Sequence, residues 1–151
     1  MKTPPQNAPR AVVVGMGRTG LSVARYLHRQ GWRVAATDSR AEPPERAALS
    51  AISDELVLRA GGFDSSLLSD AQLVMASPGV ALNEPIFAAA RDRGIEIVGD
   101  IELFARAVDA PVVGITGTNG KSTVTTLLGR MAERAGVRVR VGGNLGQPAL
   151  D

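Results

Sequence analysis

The residues best suited to chemistry lie in two glycine-rich loops. Gly117-Thr118-Asn119-Gly120-Lys121-Ser122-Thr123 follows the β-branched run Val112-Val113-Gly114-Ile115-Thr116. In such a loop successive backbone N–H groups point into one concavity, the next helix adds its positive N-terminal end, and a Lys and a hydroxyl complete a phosphate cradle. Lys121 and Ser122 are placed for those roles. The strict G-x-x-x-x-G-K-[ST] spacing would need Gly at position 115, where Ile115 stands, so the loop is a variant built on Gly117 and Gly120. The chain holds 17 basic residues, of which only Lys2 and Lys121 are Lys, so a Lys inside this loop stands out from background usage. The bland alternative is a tight glycine turn that happens to carry a Lys.

The first loop, Gly15-Met16-Gly17-Arg18-Thr19-Gly20, has the G-x-G-x-x-G spacing directly after the apolar run Ala11-Val12-Val13-Val14. Asp38 stands 23 residues beyond Gly15, where a dinucleotide-binding fold places a ribose-binding acid. NAD is therefore the first ligand suggested by the residues alone, and Arg40 beside Asp38 hints at a 2′-phosphate. A close strand-to-helix turn that only needs small residues is the alternative. Ser77-Pro78-Gly79 ends another apolar run and joins the same group if the strands are parallel, because ligands bind at the carboxyl ends of strands in open α/β sheets.

The elements that must position these loops follow from periodicity. Continuous apolar runs at 11–14, 34–37, 56–58, 73–76 and 95–98 predict buried strands, separated by helical patterns. Val23, Ala24 and Leu27 give an apolar stripe ending before Gly31, and a short helix is expected from Glu45 to Ile52 after Pro43-Pro44. Asn83 is read as the N-cap of a helix bearing Ile86, Ala89 and Ala90 that stops at Gly94. Alternating strands and helices over 11–98 predict α/β architecture: a Rossmann-like parallel-sheet domain.

Past Gly99 the pattern changes. Ile101, Phe104, Ala105 and Val108 repeat at helical spacing, a strand is expected to lead into the second loop, and Val124, Leu127, Leu128, Met131 and Ala135 line one face of the following helix. Val137-Arg138-Val139-Arg140-Val141 alternates as a strand with one wetter face, before the glycine-rich Gly142-Gly143-Asn144-Leu145-Gly146. The domain reading is thus a flexible leader at 1–10, the Rossmann-like domain at 11–99, and at 100–151 the incomplete beginning of a P-loop ATPase-type α/β domain.

Composition narrows the classes. With 151 residues, 44% hydrophobic, 21% charged and 3% aromatic, the chain reads as a globular protein with an aliphatic interior. Its net charge of +2 comes from scattered Arg residues without aromatic interleaving, which argues against nucleic-acid binding. There is no Cys, hence no disulfide or thiolate chemistry, which suits the cytoplasm. No apolar run approaches the roughly 20 residues of a membrane span. His28 is read as a surface residue, Tyr26 and Trp32 as packing groups, and Arg91, Asp92 and Arg93 as a solvated helix end.

Two phosphate-type loops in series, the second reading Gly-Thr-Asn-Gly-Lys-Ser, resemble the Mur ligase family of cell-wall synthesis. The likeness extends through Ala76-Ser77-Pro78-Gly79-Val80, the stretch from Gly94 to Phe104, Lys121 to Leu127 and Gly142 to Gly146, and covers nearly everything after the leader. The resemblance implies an ATP-dependent, ADP-forming amide ligase of peptidoglycan precursor synthesis that joins D-glutamate to UDP-N-acetylmuramoyl-L-alanine through an acyl phosphate. On that pattern the N-terminal domain holds the UDP-sugar instead of NAD, through Gly15, Gly17, Arg18, Thr19, Asp38, Ser39, Arg40, Ser77, Pro78 and Gly79, with Gly143 and Asn144 approaching the diphosphate. Arg18 departs from the apolar residue expected there. Gly117, Thr118, Asn119, Gly120, Lys121, Ser122 and Thr123 would bind ATP, with Lys121 catalytic on the β/γ-phosphates and Ser122 on Mg²⁺. The resemblance also implies a cytoplasmic monomer without nucleic-acid or membrane partners. Remaining metal ligands and the D-glutamate site would lie beyond Asp151, so the chain is expected not to turn over alone. Two other classes stay open: an NAD(P)-binding module joined to a P-loop, and a non-catalytic nucleotide-sensing domain.

Overall fold

The computed structural model describes residues 4–5, 7–143 and 146–151. Five strands, β1 (Arg10–Val14), β2 (Arg33–Asp38), β3 (Val57–Ala60), β4 (Ala71–Ala76) and β5 (Glu96–Val98), form one sheet in the order β3-β2-β1-β4-β5. Every pairing is parallel. The apolar runs explain this, since a strand covered on both faces has no reason to alternate. β1, the central strand, has Ala11, Val12, Val13 and Val14 at zero exposure.

The helices are α1 (Arg18–Arg29), α2 (Arg46–Ser50), α3 (Pro85–Asp92), α4 (Asp100–Ala107) and α5 (Lys121–Arg134), with a 3₁₀ turn at Ser65–Leu68. Two cores lie on the two sheet faces, as the two-residue repeat of a strand requires. Ala11, Val13, Ala36 and Met75 pack with Val23, Ala24 and Leu27 of α1 and with Leu49 and Leu103. Val12, Val14, Ala35 and Val74 pack with Ile86, Phe87 and Ala90 of α3 and with Leu67 and Leu68. Tyr26 and Trp32 pack partly buried against the first core, as expected. Among the described residues no helix is long and apolar enough to cross a membrane.

Several expectations fail in detail. His28 is buried, 7% exposed, and lines a small cavity of about 110 Å³ with Arg10, Arg33 and Val34 near the amino ends of the strands. Glu84, not Asn83, occupies the N-cap position of α3, because Pro85 takes the first helical position that proline's fixed φ favours. No strand forms at 112–116 or 137–141. A strand needs a ladder partner, and β3 and β5, the sheet edges, pair with neither segment. The apolar face of α5 exists, yet Val124, Leu127, Leu128 and Met131 on it are exposed, as are Val112 and Val113.

Candidate functional site

The chain leaves β1 toward β2 on one side and leaves β4, the other neighbour of β1, toward β5 on the opposite side, so the carboxyl ends of β1 and β4 form a topological switch point. The register sets Val14 opposite both Thr37 and Ala76. Gly15, Asp38 and Ser77, each the next residue along, therefore emerge at one edge.

The three glycines of the first loop do different work. Gly15 has φ +104° and donates its N–H to the Thr37 carbonyl at 2.8 Å. A Cβ there would lie 2.8 Å from both Cβ and Oγ of Ser77, so the loops after β1 and β4 touch only because this residue is Gly. Ser77 fastens the contact, its N–H donating to the Val14 carbonyl at 3.0 Å and its hydroxyl to the Gly15 carbonyl at 3.2 Å. Gly20 sits so close beneath that a Cβ would be 2.0 Å from the Gly15 oxygen, which lets α1 start against the strand end. A Cβ on Gly17 would meet nothing within 4 Å, leaving the N-terminal backbone of the 12-residue α1 open to an approaching ligand. Thr19 is half-buried in the first turn of α1, and Arg18 is exposed beside it.

At the end of β2 the Asp38 carboxylate is buried while its partner, the Arg40 side chain, is 53% exposed. Oδ2 accepts from the Met16 N–H and Arg40 Nη2, both at 2.7 Å. Oδ1 accepts from the Arg40 N–H at 2.9 Å and from its Nε at 2.8 Å. The bidentate guanidinium, followed by the backbone N–H donors, holds the Asp38 pKa down at about 2 against the opposing pull of burial. Four donors match the roughly four acceptor positions of a carboxylate. Asp38 therefore ties the Gly15–Met16 turn to β2 and presents the Arg40 guanidinium at the rim. Ser39, Pro78 and Gly79, in the loops after β2 and β4, are exposed.

The second loop is solvent-exposed from Gly117 to Val124 and leads into the 14-residue α5. Gly120 caps that helix at φ +74°, and Gly117 has φ +145°, both conformations that favour glycine. Lys121 Nζ donates to the Gly117 carbonyl and, at 3.4 Å, to that of Thr118, so the ammonium is folded over its own loop. Ser122 and Thr123 follow on the first turn of α5. Among the described residues no group of three or more His, Asp or Glu side chains stands together as a metal site.

The structure thus brings Gly15, Gly17, Asp38, Arg40 and Ser77 to one edge, with Arg18, Thr19, Ser39, Pro78 and Gly79 around them. The hydrogen bonds of the Lys121 side chain stay within its own loop. Gly143 donates its N–H to the Gln147 carbonyl at 3.1 Å, whereas Asn144 lies outside the described residues. Two participants were missed in the sequence, the Met16 backbone N–H that binds Asp38 and the carbonyl of Gly146, which accepts from Arg18 Nη2 at 2.9 Å. The first is a main-chain group without a type signature. A concavity lined by Glu133 and residues 136–140 includes none of the candidate residues.

Comparison with known proteins bears out the α/β fold. Residues 9–99 match the family described as Mur ligase MurD-like, N-terminal domain. The UDP-N-acetylmuramoylalanine--D-glutamate ligase of Nitrosococcus oceani is 57% identical over 147 residues, covering 97% of this chain and 32% of that protein. The ligase of the same name from Pseudomonas aeruginosa is 50% identical over 140 residues, covering 93% and 31%. Among solved structures, a pseudomurein peptide ligase type C from Methanothermus fervidus superposes with TM-score 0.56 at 28% identity, over 85% of this chain and 26% of that one. A murein peptide ligase from Psychrobacter arcticus, at 22% identity and TM-score 0.60 over 85% and 27%, shares the fold. The chain spans about a third of the length of the curated relatives it matches.

Proposed function

We propose, from the premise that this chain belongs to the Mur ligase MurD-like family, that it supplies the UDP-sugar site and the ATP loop of an ATP-dependent amide ligase. The substrates we assign are UDP-N-acetylmuramoyl-L-alanine and D-glutamate, and the setting is peptidoglycan precursor synthesis in the cytoplasm by a monomer. Residues 11–99 would form the UDP-sugar domain and residues 100–151 the start of the ATP-binding one. Because the chain spans about a third of its relatives, turnover is assigned to a protein of their length and ligand binding to these residues.

One observation carries the choice of UDP-sugar over NAD(P). The dinucleotide pattern sets its ribose diol on the acid at the end of β2, which then needs a free acceptor, and Asp38 has all of its acceptor capacity engaged by Met16 and Arg40. What faces solvent at the end of β2 is the Arg40 guanidinium, a cationic plane suited to a base or a phosphate, and Ser39 is exposed next to it in sequence. The open backbone at Gly17 and the N-terminus of α1 suit the diphosphate. Arg18, Thr19, Ser77, Pro78 and Gly79 would line the remainder, and Gly143 and Asn144 are assigned to the diphosphate by the family pattern.

ATP, when bound, supplies the phosphoryl group that activates the L-alanine carboxylate as an acyl phosphate, since a bare carboxylate resists attack by an amine. Gly117 to Thr123 would hold its phosphates. Lys121 would leave the carbonyls of Gly117 and Thr118 for the β/γ-phosphates, neutralising charge as it develops. Ser122 would give its hydroxyl to Mg²⁺, whose other ligands would include phosphate oxygens.

Titration calorimetry of the 151-residue chain with UDP-N-acetylmuramoyl-L-alanine and, separately, NAD(H) tests the assignment. Saturable binding of the UDP-sugar with no heat from NAD(H) is expected. Preference for NAD(H) would overturn it in favour of a dinucleotide-binding module.

A further inference from the structure

Arg18 and Arg29 open and close α1, and 11 residues at 3.6 per turn bring them back to one face of the helix, about 16 Å apart along its axis. That face is opposite the stripe of Val23, Ala24 and Leu27 that packs on the sheet. Both guanidinium groups hold the same distant segment. Arg18 Nη2 donates to the Gly146 carbonyl at 2.9 Å, and Arg29 Nη2 donates to the Leu150 carbonyl at 3.2 Å. Four residue steps span at most about 14 Å, so residues 146–150 run along α1 with their ends at its ends. Leu150 is then buried, 9% exposed, within the core cluster that contains Leu27 and Leu103.

The other side of this segment carries two glycines of the second unit. The Gly143 N–H donates to the Gln147 carbonyl at 3.1 Å, and a Cβ on Gly142 would lie 3.2 Å from that same oxygen and 3.9 Å from Cα of Ala149. The position of Gly142 and Gly143 is therefore referred, through 147–149, to the helix that begins at the first glycine loop. Arg18, which departs from the apolar residue expected at a ligand contact, serves also as an anchor.

We propose that residues 146–150 are a strap laid along α1, and that Arg29 and Leu150 are positioning residues that hold the Gly142–Gly143 backbone beside the first glycine loop for a ligand long enough to touch both. The proposal rests on the UDP-sugar reading for the identity of that ligand. Arg29 holds the Leu150 carbonyl and the Leu150 side chain packs in the core, both at the end of α1 remote from Gly17, so an effect of either on binding must pass through the strap.

The test uses Arg29→Ala, Arg29→Lys and Leu150→Ala in the 151-residue chain, with UMP as a probe reaching only the first loop and UDP-N-acetylmuramoyl-L-alanine as one reaching both. Arg29→Ala and Leu150→Ala are expected to weaken the UDP-sugar five- to tenfold and UMP less than twofold, with Arg29→Lys restoring part of the loss. Unchanged UDP-sugar affinity in both alanine variants, or an equal loss for both probes, would overturn the strap. Amide hydrogen exchange supplies an arm independent of ligand. Gly143 N–H is expected to be protected in the parent chain and to exchange at least tenfold faster in Arg29→Ala; equal rates would refute the proposal even if no UDP-sugar binds. Absence of UDP-sugar binding by the parent chain with the expected exchange pattern would instead refute the functional assignment and leave the strap standing.

Discussion

Replacing Asp38 by Asn removes one buried charge whose contribution can be worked from the structure. Its pKa is held at about 2 against an ordinary 3.8, chiefly by the bidentate bond from Arg40. Because the folded value is the lower one, the stabilisation is fully present above 3.8 and is lost as the pH falls through about 2. The difference corresponds to about 2 kcal/mol, an upper figure because Arg40 is half in solvent and screens the pair. Linkage removes about half of it by pH 3. Asp38→Asn is thus expected to destabilise the chain by about 1–2 kcal/mol at pH 7 and by about half as much at pH 3. Urea unfolding followed by the fluorescence of Trp32, which packs against the core, gives both values. The comparison between parent and variant cancels the other carboxylates with lowered pKa, Asp64, Asp70 and Glu96. A difference independent of pH, or one below about 0.5 kcal/mol at pH 7, would refute the saturated-carboxylate picture and with it the argument against a ribose acceptor.

Gly20→Ala forces a Cβ to within 2.0 Å of the Gly15 carbonyl oxygen, an obstacle made of backbone, so a loss of about 3 kcal/mol and weaker UDP-sugar binding are expected in the same unfolding and titration assays; parent-like stability would show that α1 starts elsewhere. Lys121→Ala is expected to cut ATP affinity at least tenfold by calorimetry, and unchanged affinity would remove Lys121 from the phosphate site. Ser22 carries a buried hydroxyl with no hydrogen-bond partner among the described residues, so Ser22→Ala should be neutral or stabilising by up to about 1 kcal/mol in urea, and a loss of that size would reveal a partner.

The five parallel strands were legible because each carries its own evidence. Val12 to Val14 and Val74 to Ala76 are unbroken apolar runs ended by Gly15 and Ser77-Pro78, and burial on two faces leaves that signature in any sequence. The runs at 112–116 and 137–141 carry a similar local signature without becoming strands, since strand formation is settled by the neighbour and not by the run. His28 was misread for a related reason. It lies beside Leu27 and Ala24 on α1, but its burial comes from the strand-end region around Arg10 and Arg33, far away in sequence.

The site was legible at the level of residue types, which left the ligand open. G-x-G-x-x-G followed by an acid describes mechanical necessities shared by many ligands: the Gly15 approach to Ser77, the open backbone at Gly17, the closeness of Gly20 to Gly15. None of them chooses between a dinucleotide and a UDP-sugar. The proposed UDP-sugar reading rests on a feature two residues past the acid, where Arg40 folds back on Asp38 and occupies its acceptor oxygens. An acid followed at i+2 by Arg is a local pattern that can be read from sequence, because the loop after a strand returns the longer side chain over the shorter one. The fixed spacing of Asp38 from Gly15 therefore reports where the strand ends, and Arg40 reports what that end presents.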